Sequence, residues 1–252
     1  MFTLCSCSRF HRATAPSLIK HFRDCVKGAP RELYANVLLT AGPAGKDSLV
    51  VIQMCYLGPR EEGQEYLQAI SSWDGDRCLL NEVNEKSFLH QQDSVAQVLR
   101  GKGKYGKVVI ATVQTNQTSV AGRQWFIRSA LITFLPDDII HKTVIQFSTG
   151  PVGCSKLFHF MNFSASNDSS HFCLRTAWLF ELAGGAIADY EDNCIPKTQR
   201  EASFTVAALH QWEMGVVDDR CRSAAEDWIS GTLMPVNIGG PYPTVRSILL
   251  IT

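Results

Sequence analysis

Apolar positions fall at helical spacing between residues 16 and 26, where Leu18, Ile19, Phe22 and Val26 line one side and Gly28-Ala29-Pro30 ends the pattern. Two apolar, partly β-branched runs follow, residues 33–40 and 49–56. The Gly- and Pro-bearing stretch between them predicts a hairpin with a wide turn. Residues 59–73 open with acidic side chains and continue with Tyr66, Leu67, Ile70 and Trp73 on one stripe, which predicts a helix lying across that hairpin. The alternation continues with a strand at 78–83, a helix at 88–99, a strand at 124–134, and a helix opened by Pro136-Asp137-Asp138 that carries Ile139, Ile140, Val144 and Phe147. Residues 178–188 and 204–212 predict a second hairpin-like pair. A final helix is expected at 218–233, striped by Ala224, Ala225, Trp228, Ile229 and Leu233.

Strands in pairs, separated by single helices, predict an α+β fold: an antiparallel or mixed β-sheet with helices packed on one face. A doubly wound parallel sheet is disfavoured. Two segments interrupt the rhythm, one over Gly101 to Val120, glycine-rich and basic at first, then apolar, then polar, the other over Ser155 to Thr176, aromatic at first and then polar and serine-rich. Loops of that length are uncommon inside a compact domain, so both are expected to be irregular insertions. The expected organisation is a disordered segment over 1–15, one module over 16–245, and a tail over 246–252.

Composition narrows the function classes. With 252 residues, 24 Lys plus Arg against 24 Asp plus Glu, and 45% hydrophobic residues, disorder and collagen are excluded, and no global field draws in nucleic acid. No run reaches the roughly 18 apolar residues that would cross a bilayer, so neither nucleic acid nor membrane is an expected partner. The 9 cysteines include no C-x-x-C pair, and a chain of this length buries enough core to do without cross-links. Cys5, Cys7 and His11 make half of a soft-metal cluster whose other half is missing, so no metal site is expected. Sequons stand at Asn116, Asn162 and Asn167, but residues 1–8 lack the apolar core and basic flank of an export signal, and the sequence assigns no compartment.

Several short patterns look chemical. Gly101-Lys-Gly-Lys-Tyr-Gly106 spells G-x-G-x-x-G, but a helix precedes it and a β-branched run follows, the reverse of the strand-turn-helix that presents a helix N-terminus to a pyrophosphate. Gly42-Pro-Ala-Gly45-Lys46-Asp47 has Asp where a phosphate loop needs Ser or Thr, and reads as the hairpin turn. Arg100, Lys102, Lys104 and Lys107 read as a solvated loop. His210 has no serine or cysteine partner arguable from sequence and reads as a hydrogen-bonded sheet residue. Glu181 is one carboxylate inside the otherwise apolar Trp178-Leu-Phe-Glu-Leu-Ala: buried, it is a candidate acid or base; otherwise it lies on a solvated face.

The run from Phe180-Glu-Leu-Ala-Gly-Gly to Asp189, then Arg200, then Trp212, then Gly239-Gly-Pro-Tyr242, resembles the end of the berberine bridge enzyme-like FAD-linked oxidases. Residues 34–63, with Tyr56-Leu-Gly58 leading into Glu61-Glu62-Gly63, are similar to the start of the substrate domain of those enzymes. The resemblance implies an antiparallel sheet that covers a flavin and shapes a substrate pocket. It implies FAD as cofactor and hydride transfer from an alcohol, amine or sugar carbon, with reoxidation by oxygen. Bridging out 103–120 and 155–177 leaves continuous family-like sequence, so these segments are expected to be insertions, with translated intron sequence as one source, and they hold all three sequons.

Three departures qualify what the resemblance implies. No Arg-Ser-Gly-Gly-His-like pyrophosphate loop occurs, so the FAD-binding half is expected to be absent and FAD binding by this chain is not expected. Thr205 stands seven residues before Trp212, where several relatives carry a catalytic Glu. The terminal Gly-Gly-x-Tyr-x-Asn-Tyr pattern becomes Gly239-Gly-Pro-Tyr-Pro-Thr-Val245. The expectation is a substrate-domain portion of an FAD-linked oxidoreductase, inactive alone. The alternatives are activity in trans with a separate FAD domain and a non-catalytic binding or scaffolding domain that self-associates. Expected substrate-binding positions are Arg128, Glu181, Thr205 and Gln211, the last two sharing parity on their strand.

Overall fold

The computed structural model describes residues 2–10, 14–41, 48–73, 78–85, 87, 89, 108–109, 123–150, 172–173, 176–183, 185, 189–191, 196–213, 219–239 and 248–251. Along the chain run β1 (Phe2–Phe10), α1 (Ala15–Val26), β2 (Leu33–Ala41), β3 (Ser48–Tyr56), α2 (Arg60–Ser71), β4 (Cys78–Glu85) and β5 (Val108–Val109). There follow β6 (Arg123–Ile132), α3 (Asp137–Thr149), β7 (Phe172–Cys173), β8 (Thr176–Leu182), β9 (Phe204–Glu213), α4 (Asp219–Glu226) and β10 (Ile248–Ile251). Eight strands form one sheet in the order β10-β6-β9-β8-β2-β3-β1-β4, with every pairing antiparallel. The fold is α+β.

The order divides at the β2–β8 pairing. On one side lie β2, β3, β1 and β4 from the first third of the chain; on the other lie β8, β9, β6 and β10. Residues 2–10, expected within a disordered segment, instead form β1 between β3 and β4. Phe2, Leu4 and Phe10 are too widely separated by serine and cysteine to announce a strand, but the segment completes ladders on both of its edges.

Register assigns the two faces, because residues directly opposite each other across an antiparallel ladder point to the same side. Leu33, Ala35, Val37 and Leu39 of β2 stand opposite Tyr56, Met54, Ile52 and Val50 of β3. All eight are buried under the helices. Trp178 and Phe180 of β8, and Phe204, Val206, Ala208 and His210 of β9, continue this face. Against it α1 packs Leu18, Ile19, Phe22 and Val26, and α3 packs Ile139, Ile140, Val144 and Phe147. These are the stripes that the sequence periodicity marks.

The final helix departs from expectation midway. After α4 the chain widens into a π-helix at Asp227–Thr232, and the Leu233 amide donates to the carbonyl of Trp228, five residues back, at 2.9 Å. This turn seats Trp228 flat on Trp178, with centroids 4.3 Å apart and planes at 8°, and its indole N–H donates to Thr143 Oγ1 at 2.9 Å. Phe147 meets Trp178 edge-on at 5.4 Å, and the Trp178 N–H donates to His210 Nε2 at 3.1 Å. The helices are tied at their ends as well: Lys20 and Arg23 of α1 hold Asp137, in the first turn of α3, at 2.8 and 2.6 Å. Among the cysteines, Cys221 is buried and disulfide-bonded.

Of the expected insertions 103–120 and 155–177, only residues 108–109, 172–173 and 176–177 are described. The first two pairs form a small parallel ladder, Val108 opposite Phe172 and Val109 opposite Cys173. Thr176 and Ala177 already belong to β8. The three sequons, the phosphate-loop-like turn, the basic residues at 100–107 and most of the expected helix at 88–99 lie outside the described residues.

Candidate functional site

The site begins with the face of the sheet that the helices leave uncovered. Register lines up Gln53, Asn36, Glu181, Thr205 and Leu131 across β3, β2, β8, β9 and β6 in one row. The next row on the same face, two residues along each strand, reads Val51, Leu38, Leu179, Ala207 and Ser129. A polar row therefore borders a mostly apolar one, with about 7 Å between them from the rise of two strand residues. Asn36, Leu38 and Val51 are buried, whereas Leu179, Glu181, Thr205 and Ala207 are all half-buried. In the polar row Gln53 on β3 is exposed as well, while the accessible described residues of the apolar row, Leu179 and Ala207, lie on β8 and β9.

Hydrogen bonds join the polar row. Tyr34, two residues from Asn36 on β2 and 42% exposed, donates its phenolic O–H to Glu181 Oε1 at 2.5 Å. Asn36 Nδ2 donates to the Tyr34 oxygen at 3.0 Å and to Gln53 Oε1 at 3.2 Å, which fixes its amide orientation. Asn36 Oδ1 is buried without a hydrogen-bond partner, a rare condition for a folded chain. Burial first, then the Glu181 charge, pushes the Tyr34 phenol well above its ordinary value, so it stays protonated and serves as a donor. Among the described side chains of this face there is no Lys, Arg or His.

Three of the four expected substrate-binding positions share this face. Glu181 and Thr205 stand directly opposite each other, and Gln211, described by its backbone register, pairs with Trp125 at a position of the same parity as Thr205. Arg128 lies on the helix side, opposite Ala208. Its Nη2 donates to Glu226 Oε1 at 2.6 Å and its guanidinium rests 5.5 Å from the Phe126 ring centre. There it borders an open polar cavity of about 790 Å³ with Lys142, Gln146, Glu226, Asp227 and Thr232. Tyr34 and Asn36 were not singled out from the sequence. Their parity with Leu38 and Thr40 was available, but the run Leu33-Tyr-Ala-Asn-Val-Leu-Leu is apolar enough on both sides to hide which parity faces the helices.

His210 is a core residue. It is 1% exposed and accepts the Trp178 N–H, and burial pushes its pKa down to about 4, so the imidazole is neutral. Gly239, in the terminal motif, has φ +74°. A Cβ there would come within 2.8 Å of Gln199 Cγ, and Gln199 Nε2 donates to the Gly239 carbonyl at 2.5 Å. Glycine is needed at this position for both reasons.

The described residues do not fit the phosphate half of FAD. A pyrophosphate asks for cations, amide nests or free helix N-termini. The uncovered face offers a carboxylate and no described cation, and α2, α3 and α4 fill their own first turns with Glu61 and Glu62, Asp137 and Asp138, and Asp219; α1 has no acid there, but its first turn holds Pro16, which has no N–H, and buries Ala15, Pro16 and Leu18 in the core. Among the described residues no cluster of three or more metal-ligating side chains occurs and no helix is long and apolar enough to cross a membrane.

No family model matches the sequence, and no curated protein matches it. Solved structures do match in fold. A berberine bridge enzyme variant superposes with a TM-score of 0.56 at 11% identity, over 94% of this chain and 41% of that one. 6-Hydroxy-D-nicotine oxidase from Arthrobacter nicotinovorans superposes at 0.60 and 10% identity, over 94% of this chain and 44% of the other. CrmK, a flavoenzyme of caerulomycin biosynthesis, superposes at 0.60 and 14% identity, over 95% and 45%. The chain thus spans 41–45% of the length of these solved proteins and shares the fold of that portion.

Proposed function

We propose that this chain is the substrate-domain portion of an FAD-linked oxidoreductase, with the uncovered sheet face as one wall of the reaction site. The observation that carries the reading is the hydrogen-bonded row Gln53, Asn36, Tyr34 and Glu181 on the face opposite the helices. A sheet face that serves only to be solvated has no need of a buried, unsatisfied amide beside a phenol and a carboxylate, since such a group costs about 1–3 kcal/mol. The nearly full-length match of this chain to part of three oxidoreductase-related folds supports it.

In this reading a flavin held outside the described residues would supply the hydride acceptor, and the face would position an alcohol, amine or sugar carbon. The carboxylate that the resemblance expects at position 205 is supplied one strand away by Glu181, opposite Thr205 at about 5 Å between Cβ atoms. Glu181 receives a proton from the substrate O–H or N–H, and Tyr34 holds the Glu181 carboxylate in place through its donated hydrogen bond. With one wall alone, the chain neither binds FAD tightly nor turns over.

Co-expression with an FAD-binding domain tests this. The expected result is a yellow complex that bleaches anaerobically on addition of one member of an alcohol, amine and sugar panel, while the chain purified alone is colourless. Tight FAD binding by the chain alone, or a colourless co-expressed product, refutes the proposal.

A further inference from the structure

The helix side of the sheet carries a cavity of its own, away from the uncovered face. It is open, encloses about 790 Å³, and lies between β6, α3 and the π-helix that follows α4. That volume accommodates a small molecule. The π-helix forms one wall. Such turns are rare and recur at functional sites, and this one brings Asp227, Ser230 and Gly231 to the cavity. A Cβ at Gly231 would meet nothing within 4 Å, so packing does not call for glycine there, and its bare backbone leaves that wall open.

The lining divides into a donor wall and an acceptor wall. Arg128 and Glu226 pair at 2.6 Å and cancel each other's charge. On α3, Lys142 and Gln146 stand one turn apart, about 6 Å along the axis, and both offer donors. Gln146 Oε1 accepts the Thr232 hydroxyl at 2.7 Å, which fixes the amide, and no described acceptor meets its Nε2. Lys142 reaches Asp138, one turn back, only at 3.3 Å, and both side chains of that pair are more than 60% exposed, so it holds loosely. On the opposite wall Asp227 is exposed and forms no ion pair with a described residue, and Ser230 adds a hydroxyl. Lys142 and Asp227 therefore share one cavity without pairing. A ligand that carries the same two charges in reverse order satisfies both. We propose that this cavity is a site for a small zwitterion, an amino acid or a chain-extended homologue, with its carboxylate on Lys142 and Gln146 Nε2 and its ammonium on Asp227 and Ser230. The four ionised side chains sum to zero, so a ligand of one charge leaves a wall unmatched, and a neutral polyol forgoes both charge-assisted hydrogen bonds. The site is independent of the flavin reading, because the sheet separates it from the uncovered face.

Glycine, 4-aminobutyrate and 6-aminohexanoate, titrated into the full chain by calorimetry at neutral pH, test the charge separation the cavity matches. The best binder is then compared with the same carbon chain bearing only the carboxylate or only the ammonium. The zwitterion should bind about tenfold or more tightly than either single-charge analogue. Asp227→Asn should weaken the zwitterion about tenfold and leave the carboxylate-only probe within about twofold of wild type, and Lys142→Gln should do the converse with the ammonium-only probe. Both side chains are exposed, so the far-UV spectrum and melting midpoint of these variants should stay near wild type. Gly231→Gln, which puts a side chain into the open wall while keeping every charge, should abolish binding of all probes. No binding of any zwitterion, a single-charge analogue within about twofold of its zwitterion, or affinity that survives Asp227→Asn or Gly231→Gln overturns the site.

Discussion

His210 gives the molecule an acid-sensitive core. Its ring is 1% exposed, on the helix side of β9, and its Nε2 is an acceptor for the Trp178 N–H at 3.1 Å. Protonating Nε2 sets two donors against each other and places a charge in an apolar layer, and burial accordingly lowers the pKa from 6.5 to about 4. The folded pKa lies below the unfolded one, so the neutral ring favours the fold fully above about pH 6.5, and that advantage is lost as pH falls towards 4. At about 1.4 kcal/mol for each pH unit between the two values, the limit is roughly 3 kcal/mol; at about pH 6 the loss is about 1 kcal/mol, and at about pH 5 it is about 2 kcal/mol. The comparison is with His210→Gln, whose carbonyl still accepts from Trp178 but does not titrate. Urea unfolding of both proteins from about pH 7 to about pH 4.5 should give a difference that grows on acidification by these amounts, with the other histidines cancelling. A difference that stays flat within about 0.5 kcal/mol would mean that water or a nearby acceptor stabilises the imidazolium, and the reasoning would fail.

Three further outcomes follow from the packing. Trp228→Ala removes the ring stacked on Trp178 and the donor to Thr143, and should cost about 3–5 kcal/mol in urea unfolding; a loss under about 1 kcal/mol would mean the layer refills. Gly63→Ala should destabilise by about 1–3 kcal/mol in thermal or urea unfolding, although alanine suits a helix better, because the new Cβ would lie 2.8 Å from Tyr56 Cδ1. Gly231→Ala, with nothing within 4 Å, is the control and should be neutral or stabilising. Asp137, whose pKa Lys20 and then Arg23 pull down to about 2, stabilises the α1–α3 contact above its ordinary carboxylate value and loses that effect as pH falls towards 2. Melting curves of Asp137→Asn should lack that part of the acid dependence.

Much of this fold is readable wherever one side of an element is apolar and the other is not. Leu18, Ile19, Phe22 and Val26 announce α1, and Ile139, Ile140, Val144 and Phe147 announce α3. Strand parity alone puts Thr205 and Gln211 on one face, and the register agrees. The signal fails where both sides are apolar. In β6, Phe126 and Ala130 face the helices and Ile127 and Leu131 do not, so nothing in the spacing shows that Arg128 turns toward Glu226. In β2, the burial of Leu38 and Thr40 on the uncovered side masks the parity that pairs Tyr34 and Asn36 with Glu181. The π-helix is hidden for another reason. Trp228, Ile229 and Leu233 keep a helical stripe whether one turn holds an extra residue or not, and the stack of Trp228 on Trp178 that accompanies the widening is a tertiary contact that spacing does not encode.

The pairing of β2 with β8 gives the polar row a history as well as a place. Tyr34 and Glu181 are 147 positions apart, so their contact waits on the closure of most of the chain, whereas each set of strands on either side of that pairing joins neighbours closer in sequence. Neither fragment holds the acid together with the phenol and amide. Cut in a connecting loop, the two pieces would rebuild the Tyr34–Glu181 contact only by complementing each other, and its return would time the moment at which they meet.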